Sequence, residues 1–355
     1  MKSNKKILII GNLGYVGIPL VKYLRNFNKS NHEIYGLDKD LFFLNDYAKH
    51  DIKIYPDLQI FKDCRDINLK KILIKPDVII YLAAVSNDPM GNMFKKATED
   101  INYLQCVKLA KQAKELKVKK FIFASSCSMY GASGDNLKKE TDKINPLTDY
   151  AISKVKAEKA LKRMSDKNFK TISLRFATAA GFSQNLRLDL VFNDFIASAV
   201  YKKKIELLSS GSSWRPLIHV NDMARAITWA VNFNSVNVFL PINVGSDAWN
   251  FRIIDLAKKI AKIIGNVKVV IKNKNAVDKR SYKVDFSLFN KLAPNFKPKT
   301  NFRSSVIELK NFCIKHKKSL PNFRKSPKWT RLSALNHLID EKKLNKKLYW
   351  INKYD

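Results

Sequence analysis

The residues best suited to do chemistry are Tyr150 and Lys154, four positions apart in the segment PLTDYAISK. On an α-helix, positions i and i+4 share a face, so a phenol and an ammonium can address one substrate from the same side. A phenol has a pKa of about 10, and its use as a base near neutral pH needs about 4 kcal/mol of preferential stabilisation of the phenolate. A neighbouring positive charge could supply it. The spacing alone fits a solvated helix pair equally well, so its meaning depends on the rest of the chain.

The N-terminal segment has the pattern of a dinucleotide-binding loop. A predicted buried strand, Lys6–Ile10, is followed by Gly11, Gly14 and Gly17, and a helical pattern runs from about Tyr15 to Phe27. Such glycines allow a tight turn, let the backbone approach a pyrophosphate, and let the helix pack closely on the strand. The loop therefore predicts a bound nicotinamide dinucleotide, whose positive charge would also favour the phenolate.

A carboxylate closes the next apolar run. Asp38 ends the segment EIYGLD, about 20 residues after the last glycine, where an acidic side chain accepts hydrogen bonds from the adenosine ribose hydroxyls. A carboxylate there would repel a 2′-phosphate, so the sequence favours NAD over NADP, a preference that the adjacent Lys39 weakens. The expected chemistry is hydride transfer, with Tyr150 moving the proton.

Length and composition limit the class of protein. The chain has 355 residues, 46% of them hydrophobic, which is enough for a sizeable core in one large α/β domain or two unequal lobes. No apolar run approaches the roughly 18 to 20 residues of a membrane helix, so no membrane contact is expected. Cysteines at positions 64, 106, 127 and 313 have no metal-ligand or redox spacing. Free thiols, no bound metal and a reducing cytoplasm are therefore expected.

The net charge of +35 is open to two interpretations. Such a balance favours contact with nucleic acid or anionic membranes. However, the charge is mostly lysine spread over every segment, without an arginine-rich stripe among aromatics or an RNA-binding signature. Compositional bias, or a field that attracts a polyanionic small substrate, explains the charge as well. Nucleic acid is therefore not expected as a partner.

Strand-like and helical patterns alternate through the first half of the chain. Helical runs such as Ala97 to Leu116 separate strands predicted near 6–10, 33–37, 52–54, 77–82, 119–124 and 170–174. This alternation predicts an α/β fold of the Rossmann type, a doubly wound parallel sheet with ligands at the carboxyl ends of its strands.

Beyond about residue 178 the pattern becomes irregular. Residues 1–178 are predicted to form the NAD-binding domain, with a strand that returns near 238–244, and residues 179–312 a smaller substrate-binding lobe. Helices are predicted at Leu188 to Tyr201, Asp222 to Val231, Ile253 to Ile264 and Leu332 to Ile339. The last of these lies in a basic C-terminal segment, 313–355, which we interpret as either a packing appendage or a contact of a homodimer.

Six motifs in register resemble those of a known family. They are GNLGYVG, YLAAVSNDP, FIFASSCSMYG, YAISK, LRFATAAG and RPLIHVNDMARA. They make residues 5 to 310 similar to the extended short-chain dehydrogenase/reductases, the NAD-dependent epimerases and dehydratases that act on nucleotide sugars. The resemblance implies an NAD-dependent enzyme with a nucleotide diphosphate sugar as its substrate.

The resemblance implies how the cofactor is held. The glycine loop, including Tyr15 and Val16, would bind the pyrophosphate, and Asp38 would bind the ribose. Asp63, with Cys64 beside it, would reach the adenine, although without the family an ordinary solvated loop carboxylate is the better interpretation of Asp63. The other implied cofactor-side residues are Leu82, Ala83 and Ala84, which would line the cofactor, and Asn102, which would brace the strand ends.

The resemblance also implies the catalytic roles. Tyr150 would be the general base that takes a proton from a sugar hydroxyl, and Lys154 would hold the nicotinamide ribose and lower the pKa of the phenol. Ser126 would hydrogen-bond the same sugar oxygen, because the family's catalytic hydroxyl lies four residues before a tyrosine that corresponds to Tyr130. Ser125 is interpreted as a helix cap.

The absence of two carboxylates after the catalytic hydroxyl disfavours one reaction of the family, dehydration. Dehydratases of the family carry Asp-Glu directly after the catalytic hydroxyl, because eliminating water needs a second acid and base. Here those positions are Cys127 and Ser128. Epimerisation, in surface polysaccharide synthesis, is therefore favoured, and net reduction of a 4-keto-sugar is the alternative. A third hypothesis is a cofactor-sensing or RNA-binding protein that kept the fold, which the presence of all three catalytic side chains disfavours.

One cysteine and one threonine qualify this assignment. Cys127 resembles a cysteine linked to proton transfer in the GDP-fucose synthase branch, although a buried cysteine is usually a small core residue. Thr178 stands where UDP-hexose epimerases have Asn, which leaves both the sugar and the base of the substrate open.

Arginines mark the expected substrate side. Arg215 and Arg280, in WRPLIHV and DKRSY, match positions at which family members bind the diphosphate, and the guanidinium fork suits that group. Arg187 is a further candidate in the variable loop. His219 and Asp222 are expected to brace the lobe junction and not to take part in the chemistry.

Overall fold

The structure, a computed structural model, describes residues 4–27, 31–42, 56–276, 278–319 and 322–351. The strands, in chain order, are β1 Lys6–Ile10, β2 Glu33–Asp38, β3 Leu58–Phe61, β4 Val78–Tyr81, β5 Lys120–Ser126, β6 Ala132–Lys138, β7 Lys170–Phe176, β8 Thr178–Ala180, β9 Lys204–Leu207, β10 Trp214–His219, β11 Phe239–Val244, β12 Asn250–Arg252, β13 Lys268–Ile271 and β14 Ser281–Val284. The α-helices are α1 Gly17–Asn26, α2 Asp88–Met93, α3 Lys95–Glu99, α4 Cys106–Glu115, α5 Asp149–Met164, α6 Val191–Lys202, α7 Val220–Asn232, α8 Ile253–Ile264, α9 Ser287–Leu292, α10 Phe302–Lys315 and α11 Arg331–Asp340.

A seven-stranded parallel sheet organises the main domain. Its strand order is β11-β7-β5-β4-β1-β2-β3, and every neighbouring pair is parallel. The central strand β4 is VIIY with all four residues buried, as expected of a strand covered on both faces. The strand predicted near 52–54 lies outside the described residues. The predicted Rossmann-type sheet is confirmed.

Helices cover both faces of this sheet. On one face, Leu20 of α1 and Ile227 of α7 share a core with strand residues such as Ile80. On the other face, Leu109 of α4 and Leu161 of α5 share a second core. This two-layer covering leaves the carboxyl ends of the strands as the edge at which a ligand can reach the backbone.

A third core belongs to a smaller lobe. It combines α6, α8 and α10 with the two-stranded sheet β13-β9, and includes Phe192, Leu256 and Leu309. The smaller lobe is not formed by one continuous stretch of the chain. Phe239–Val244 lies at the edge of the main sheet beside β7, and Phe289 of α9 packs in the main core.

The C-terminal segment returns to the main domain. Leu335, Leu338, Leu344 and Leu348 pack in the same core as Leu37 at the end of β2. The segment therefore adds to the half of the protein that carries the glycine loop.

The helical run predicted from Ala97 to Leu116 is interrupted by a wider turn. Helix α3 continues as a π-helix over Asp100–Gln105 before α4 begins. Such insertions are frequent at functional sites, because they redirect one side chain out of the helical register. Here the redirected turn contains Asn102.

All four cysteines have free, buried thiols. Within the described ranges, no helix combines the length and the apolar character that crossing a membrane requires.

A buried ion pair joins α5 to the sheet. Arg175 of β7 donates to Glu158 of α5 with an Nη2 to Oε2 distance of 2.8 Å, and both side chains are less than a tenth exposed. Arg175 also donates to the hydroxyl of Tyr130 at 3.1 Å. The pair therefore fixes the catalytic-helix candidate α5 against the strand next to β5.

We expect Glu158→Gln to lower the free energy of unfolding by about 3 kcal/mol, because it leaves the Arg175 guanidinium buried without a counter-charge. Urea denaturation of the full chain measures this effect. The matched control is Glu99→Gln, which breaks an exposed pair with Lys156 (2.9 Å) and should cost less than about 1 kcal/mol. Equal losses in the two variants would contradict a stabilising role for the buried pair.

Candidate active site

One cavity of about 840 Å³ lies at the carboxyl ends of β1, β2, β4 and β5 and extends under the smaller lobe. Of the residues predicted from the sequence, those that line it are Gly11, Gly14, Tyr15, Val16, Gly17, Asp38, Asp63, Cys64, Leu82, Ala83, Ala84, Ser126, Tyr150, Lys154, Thr178, Arg187, Arg215 and Arg280. The fold thus brings together residues that are up to about 270 positions apart in the chain.

The glycine loop forms a cradle that has no room for side chains. Gly11 has φ +92°, and a Cβ placed on it would lie 2.6 Å from the backbone nitrogen of Ala83. Its own N–H donates to the carbonyl of Leu37 at 2.7 Å, so the turn is fixed to the end of β2. Helix α1 begins at Gly17, directly after the loop, and turns its positive N-terminus toward the cavity edge. This geometry fits the pyrophosphate of a dinucleotide.

Contacts that the sequence did not indicate tie the loop to the smaller lobe. The Tyr15 hydroxyl donates to the carbonyl of Gly181 at 2.5 Å, and Asn185 donates to the carbonyl of Leu13 at 2.7 Å. Ser183 donates to the carbonyl of Tyr15 at 2.8 Å. The cofactor loop and the first residues after β8 are therefore hydrogen-bonded to each other, and a displacement of one would move the other.

Asp38 lies at the end of β2, and its two carboxylate oxygens accept one hydrogen bond from the glycine loop and one from the residues after β2. Oδ2 accepts from the N–H of Leu13 at 3.1 Å and Oδ1 from the N–H of Asp40 at 2.9 Å. Burial raises the pKa of Asp38, and the two backbone hydrogen bonds oppose that rise. Each oxygen keeps lone-pair capacity for a ribose hydroxyl.

Lys39 does not point freely at the ribose. Its ammonium donates to Asp63 at 2.7 Å and also to the carbonyl of Leu348. These two bonds occupy the ammonium, although Lys39 remains close enough to Asp38 to lower the pKa of that carboxyl.

The carboxylate of Asp63 is fully engaged by cations. Arg65 binds it through Nε (3.0 Å) and Nη2 (2.6 Å), in addition to the ammonium of Lys39. Burial alone would raise the pKa of Asp63, but these two cations hold it at about 2. The side chain lies in the cavity wall as an ion-paired group, so its predicted contact with adenine would compete with Arg65. Cys64 follows it, with its thiol directed at the hydroxyl of Tyr81 at 3.8 Å.

Asn102 lies behind the cavity wall. Its Oδ1 accepts from the N–H of Val85 at 2.9 Å, and its Nδ2 donates to the carbonyl of Val85 at 3.0 Å and to Ser153 at 3.1 Å. The side chain is fully buried. These bonds brace the segment after Leu82–Ala84 against α5, so Asn102 would support the cofactor through the wall and not by contact.

Ser126, Tyr150 and Lys154 converge in the middle of the cavity. Thr148 caps α5 by accepting from the N–H of Ala151 at 3.2 Å, which starts the helix directly before Tyr150. The Ser126 hydroxyl lies close enough to the phenol of Tyr150 to lower its pKa. The ammonium of Lys154 donates to the carbonyl of Ala124 at 2.7 Å and lies 5.7 Å from the centre of the Tyr150 ring. The i, i+4 spacing thus places both groups on the face that meets the end of β5.

Burial dominates the electrostatics of this group. It raises the pKa of Tyr150 to about 12, against the lowering effect of the Ser126 hydrogen bond. It lowers the pKa of Lys154 to about 8. Two positive charges, Lys154 and an oxidised nicotinamide, are expected to lower the pKa of the phenol, and Lys154 alone does not offset its burial. A further positive charge beside the phenol is needed to make it a base near neutral pH.

The serine that caps the helix after β5 is not the one expected from the sequence. Ser126, and not Ser125, caps the short helix Cys127–Tyr130, because its hydroxyl accepts from the N–H of Ser128 at 3.1 Å. The hydroxyl of Ser125 is buried without a hydrogen-bond partner. The assignment of the cap to Ser125 was therefore wrong.

Cys127 points away from the cavity into the main core. Its thiol donates to the carbonyl of Arg175 at 3.0 Å, and burial raises its pKa well above the usual value. The core interpretation of Cys127 fits these contacts, and a proton-transfer role does not. Ser128 lines the cavity, and Thr178 lines it from β8.

The predicted substrate-side arginines are each paired with a carboxylate. Arg187 donates to Asp189 through Nε (3.1 Å) and Nη2 (2.7 Å). Arg215 and Arg280 share Asp278, with Nη2 to Oδ2 distances of 2.7 and 2.8 Å. These carboxylates orient the guanidinium groups but also reduce the positive charge that a diphosphate would meet.

Asp88 is a site residue that the sequence reasoning missed. It accepts from Arg280 and, at 2.7 Å, from the hydroxyl of Thr148. It therefore connects an arginine of the substrate side to the N-terminal cap of α5. The motif YLAAVSNDP contained it, but only the fold shows that it meets residues about 60 and 190 positions away.

His219 and Asp222 lie at the start of α7, where Val220 packs in the core of the smaller lobe and Met223 in the main core, which fits their expected position at the lobe junction. His219 accepts from the N–H of Asn221 at 3.2 Å at the start of α7, and burial lowers its pKa to about 4. Asp222 accepts from the backbone N–H groups of Lys299 and Thr300, both at 3.1 Å.

Comparison with known proteins agrees with this geometry. The model of the "NAD dependent epimerase/dehydratase family" matches residues 7–245. The "Uncharacterized UDP-glucose epimerase YtcB" of Bacillus subtilis (strain 168) is 28% identical over 235 residues, covering 63% of this chain and 71% of that protein. A "dTDP-D-glucose 4,6-dehydratase" of Dictyostelium discoideum is 27% identical over 278 residues, covering 73% of this chain and 62% of that protein. The solved structure "MoeE5 in complex with UDP-glucose and NAD" has a TM-score of 0.73 and 21% identity, and covers 89% of this chain and 100% of its own.

Proposed function

The chain belongs to the NAD dependent epimerase/dehydratase family, and from that membership we propose that it is a nucleotide-sugar epimerase that uses NAD as its cofactor. The observation that carries the proposal is the position of Ser126, Tyr150 and Lys154. They lie in one cavity between the glycine loop and the arginines of the smaller lobe. A sugar held by those arginines would meet the phenol and the serine hydroxyl from one side.

In this proposal, bound NAD would supply the reversible hydride chemistry by which one carbon of the sugar is inverted. Tyr150 removes and later restores the proton of the oxidised hydroxyl, and Ser126 holds the same oxygen. Lys154 holds the nicotinamide ribose from its position against the carbonyl of Ala124. Asp38 binds the adenosine ribose, and the glycine loop binds the pyrophosphate.

The side chains after Ser126 disfavour dehydration, although dehydratases are among the relatives. Cys127 is turned into the core, and Ser128 has no charge. Asp88 would be the candidate acid or base for this elimination, but Arg280 and Thr148 both donate hydrogen bonds to it. Elimination of water needs a free acid and base that these contacts do not offer.

The second candidate is a nucleotide-4-ketosugar reductase. It would use the same three side chains, with Tyr150 donating a proton to the ketone, and it would consume reduced cofactor stoichiometrically. The proposed role in surface polysaccharide synthesis applies to both candidates. The non-catalytic hypothesis has the least support, because all three candidate catalytic side chains are present and line one cavity.

The test is to incubate the purified full chain with a panel of UDP-, GDP-, CDP- and dTDP-sugars and follow the sugar protons by NMR. An epimer formed without net change in nicotinamide would support the proposal and identify the substrate. Conversion only when reduced cofactor and a 4-keto-sugar are supplied would replace it with the reductase. A 4-keto-6-deoxy product would show dehydration, and no conversion with NAD bound would favour the non-catalytic hypothesis.

The phenol of Tyr150 should titrate differently with and without oxidised cofactor. Because burial raises its pKa to about 12, the neutral phenol prevails below that pH in the protein alone. A positive charge beside the ring favours the phenolate, so added NAD should move the titration to lower pH. The measurement is the near-ultraviolet phenolate absorbance of the wild type minus that of Tyr150→Phe. An unchanged difference titration would contradict this electrostatic account.

A further inference from the structure

The C-terminal segment, residues 322–351, packs on the cofactor end of the cavity. The indole N–H of Trp350 donates to the carbonyl of Lys39 at 2.9 Å, directly after Asp38. Arg65 donates to the carbonyl of Leu348 at 2.9 Å. These bonds join the segment to the loops that follow β2 and β3, which form the adenosine side of the cavity.

Arg331, the first residue of α11, extends from this segment into the cavity wall. Its Nη2 donates to the carbonyl oxygen (3.1 Å) and the side-chain oxygen (2.5 Å) of Asn185. Its guanidinium lies 4.3 Å from the centre of the Phe42 ring. Asn185 in turn holds the carbonyl of Leu13 in the glycine loop at 2.7 Å. Arg331 is therefore connected through the single side chain of Asn185 to the glycine loop, which is the proposed pyrophosphate site.

The charge of Arg331 has no carboxylate partner among the described residues. Its hydrogen bonds run to neutral oxygens of Asn185 and Phe42, whereas Arg187 and Arg280 are each ion-paired. The side chain is only 5% exposed, and burial, followed by repulsion from Arg187, lowers its pKa to about 9 against the longer-range attraction of Asp189 and Asp38. A buried cation without a direct ion pair is costly. An anion bound at this point would reduce that cost.

The helix that carries Arg331 favours an anion at the same place. Among the residues that the structure describes, no side chain caps the N-terminus of α11, and its first turn, 330–333, lines the cavity. Uncapped N–H groups at a helix start attract negative charge, whereas a cation in the first turn is unfavourable for the helix itself. The position of Arg331 is therefore not explained by helix stability, and both features point to an anionic ligand in the cavity.

We propose that Arg331 is a ligand of the cofactor diphosphate, and that residues 322–351 form a clamp that completes the NAD site. The ligand is the cofactor diphosphate and not that of the sugar nucleotide, because Arg331 adjoins Asn185 and Phe42 at the Asp38 end. Of the substrate-side arginines, Arg187 lies close enough to Arg331 to repel its charge, whereas Arg215 and Arg280 pair with Asp278. This inference depends on NAD as the cofactor and not on which sugar reacts, and its test contains no sugar substrate.

The test uses the full chain freed of nucleotide and titrated calorimetrically with NAD, ADP-ribose, adenosine and UDP. In Arg331→Gln, the dissociation constants for NAD and ADP-ribose should rise by about 10- to 100-fold, as expected for loss of charged hydrogen bonds. Binding of adenosine, which has no phosphate, should be nearly unchanged. Arg331→Lys keeps the charge without the fork and should be intermediate. The wild type should retain more NAD through purification than either variant.

Lys343→Gln is the matched control, because it removes one positive charge from the same segment at an exposed side chain paired with Glu341. It should not change any of the four affinities. The proposal is overturned if Arg331→Gln leaves ADP-ribose binding unchanged, if it weakens adenosine equally, or if it weakens only UDP. If Arg331→Gln does not fold, Arg331→Lys decides the question by the same comparison of ADP-ribose with adenosine.

Discussion

Replacing Tyr150 by phenylalanine is expected to reduce turnover by roughly 10²- to 10⁴-fold, the usual contribution of a positioned acid or base. The substitution removes only the hydroxyl, whose pKa the nearby Ser126 hydroxyl lowers. The ring keeps its place at the start of α5, because Thr148 and the helix backbone hold that turn. Affinity for NAD should therefore change little. Single-turnover kinetics with the substrate identified by NMR, together with calorimetric titration of NAD, measure the two effects separately.

Tyr103→Phe is the matched control for this substitution. Tyr103 is a half-buried tyrosine on the π-helix that does not line the cavity, and its ring lies under the ammonium of Lys156. Loss of its hydroxyl should leave turnover within about twofold, as expected for a substitution away from the chemistry. Substantial turnover in Tyr150→Phe would refute the assigned mechanism. A parallel loss of NAD affinity would instead show that the hydroxyl organises the cofactor site.

Replacing Gly11 by alanine is expected to abolish measurable binding of NAD. The residue has φ +92°, which costs an L-residue about 1–3 kcal/mol. In addition, the new Cβ would lie 2.6 Å from the backbone nitrogen of Ala83 and 2.9 Å from its Cα. Backbone atoms cannot yield as a flexible side chain does, so the loop and the segment after β4 must separate. Both contribute to the cofactor surface, and calorimetry with NAD measures the loss.

Gly265→Ala is the control that separates the effect of backbone strain from that of the close contact between the glycine loop and Ala83. Gly265 has φ +81°, but a Cβ on it would meet nothing within 4 Å. This variant should lose about 1–3 kcal/mol of unfolding free energy and bind NAD as the wild type does. If Gly11→Ala also binds NAD normally while losing only stability, the close approach at Ala83 is not required for the cofactor.

The sequence predicted the parts of the site that depend on local order. The glycine loop, Asp38 and the pair Tyr150 and Lys154 each follow from a strand, a turn and a helix only a few residues apart. Because strands of a parallel sheet end at one edge, these local units had to meet once the alternation of strands and helices was recognised. In the second half of the chain, a local helical pattern predicted Ile253–Ile264 with the bounds that the structure has.

Residue types alone could not decide which serine forms the helix cap or which way Cys127 points. Ser125 and Ser126 are identical neighbours, and only the extended backbone before Cys127–Tyr130 decides which one caps that helix. Cys127 could equally have faced the cavity or the core. Side chains alternate between the two faces of a strand, so the register at its end decides the matter.

What the sequence determined by itself is the cofactor loop, the catalytic face of α5 and the parallel sheet, because periodicity and spacing act over short distances. The tertiary structure decided which charges meet. The sharing of Asp278 by Arg215 and Arg280, the bond from Asp88 to Thr148, and the return of the C-terminal segment with Arg331 all join distant positions. Such contacts leave no periodic signal in one sequence, since they depend on how separate elements pack. The net charge at each end of the cavity therefore appears only in the folded chain.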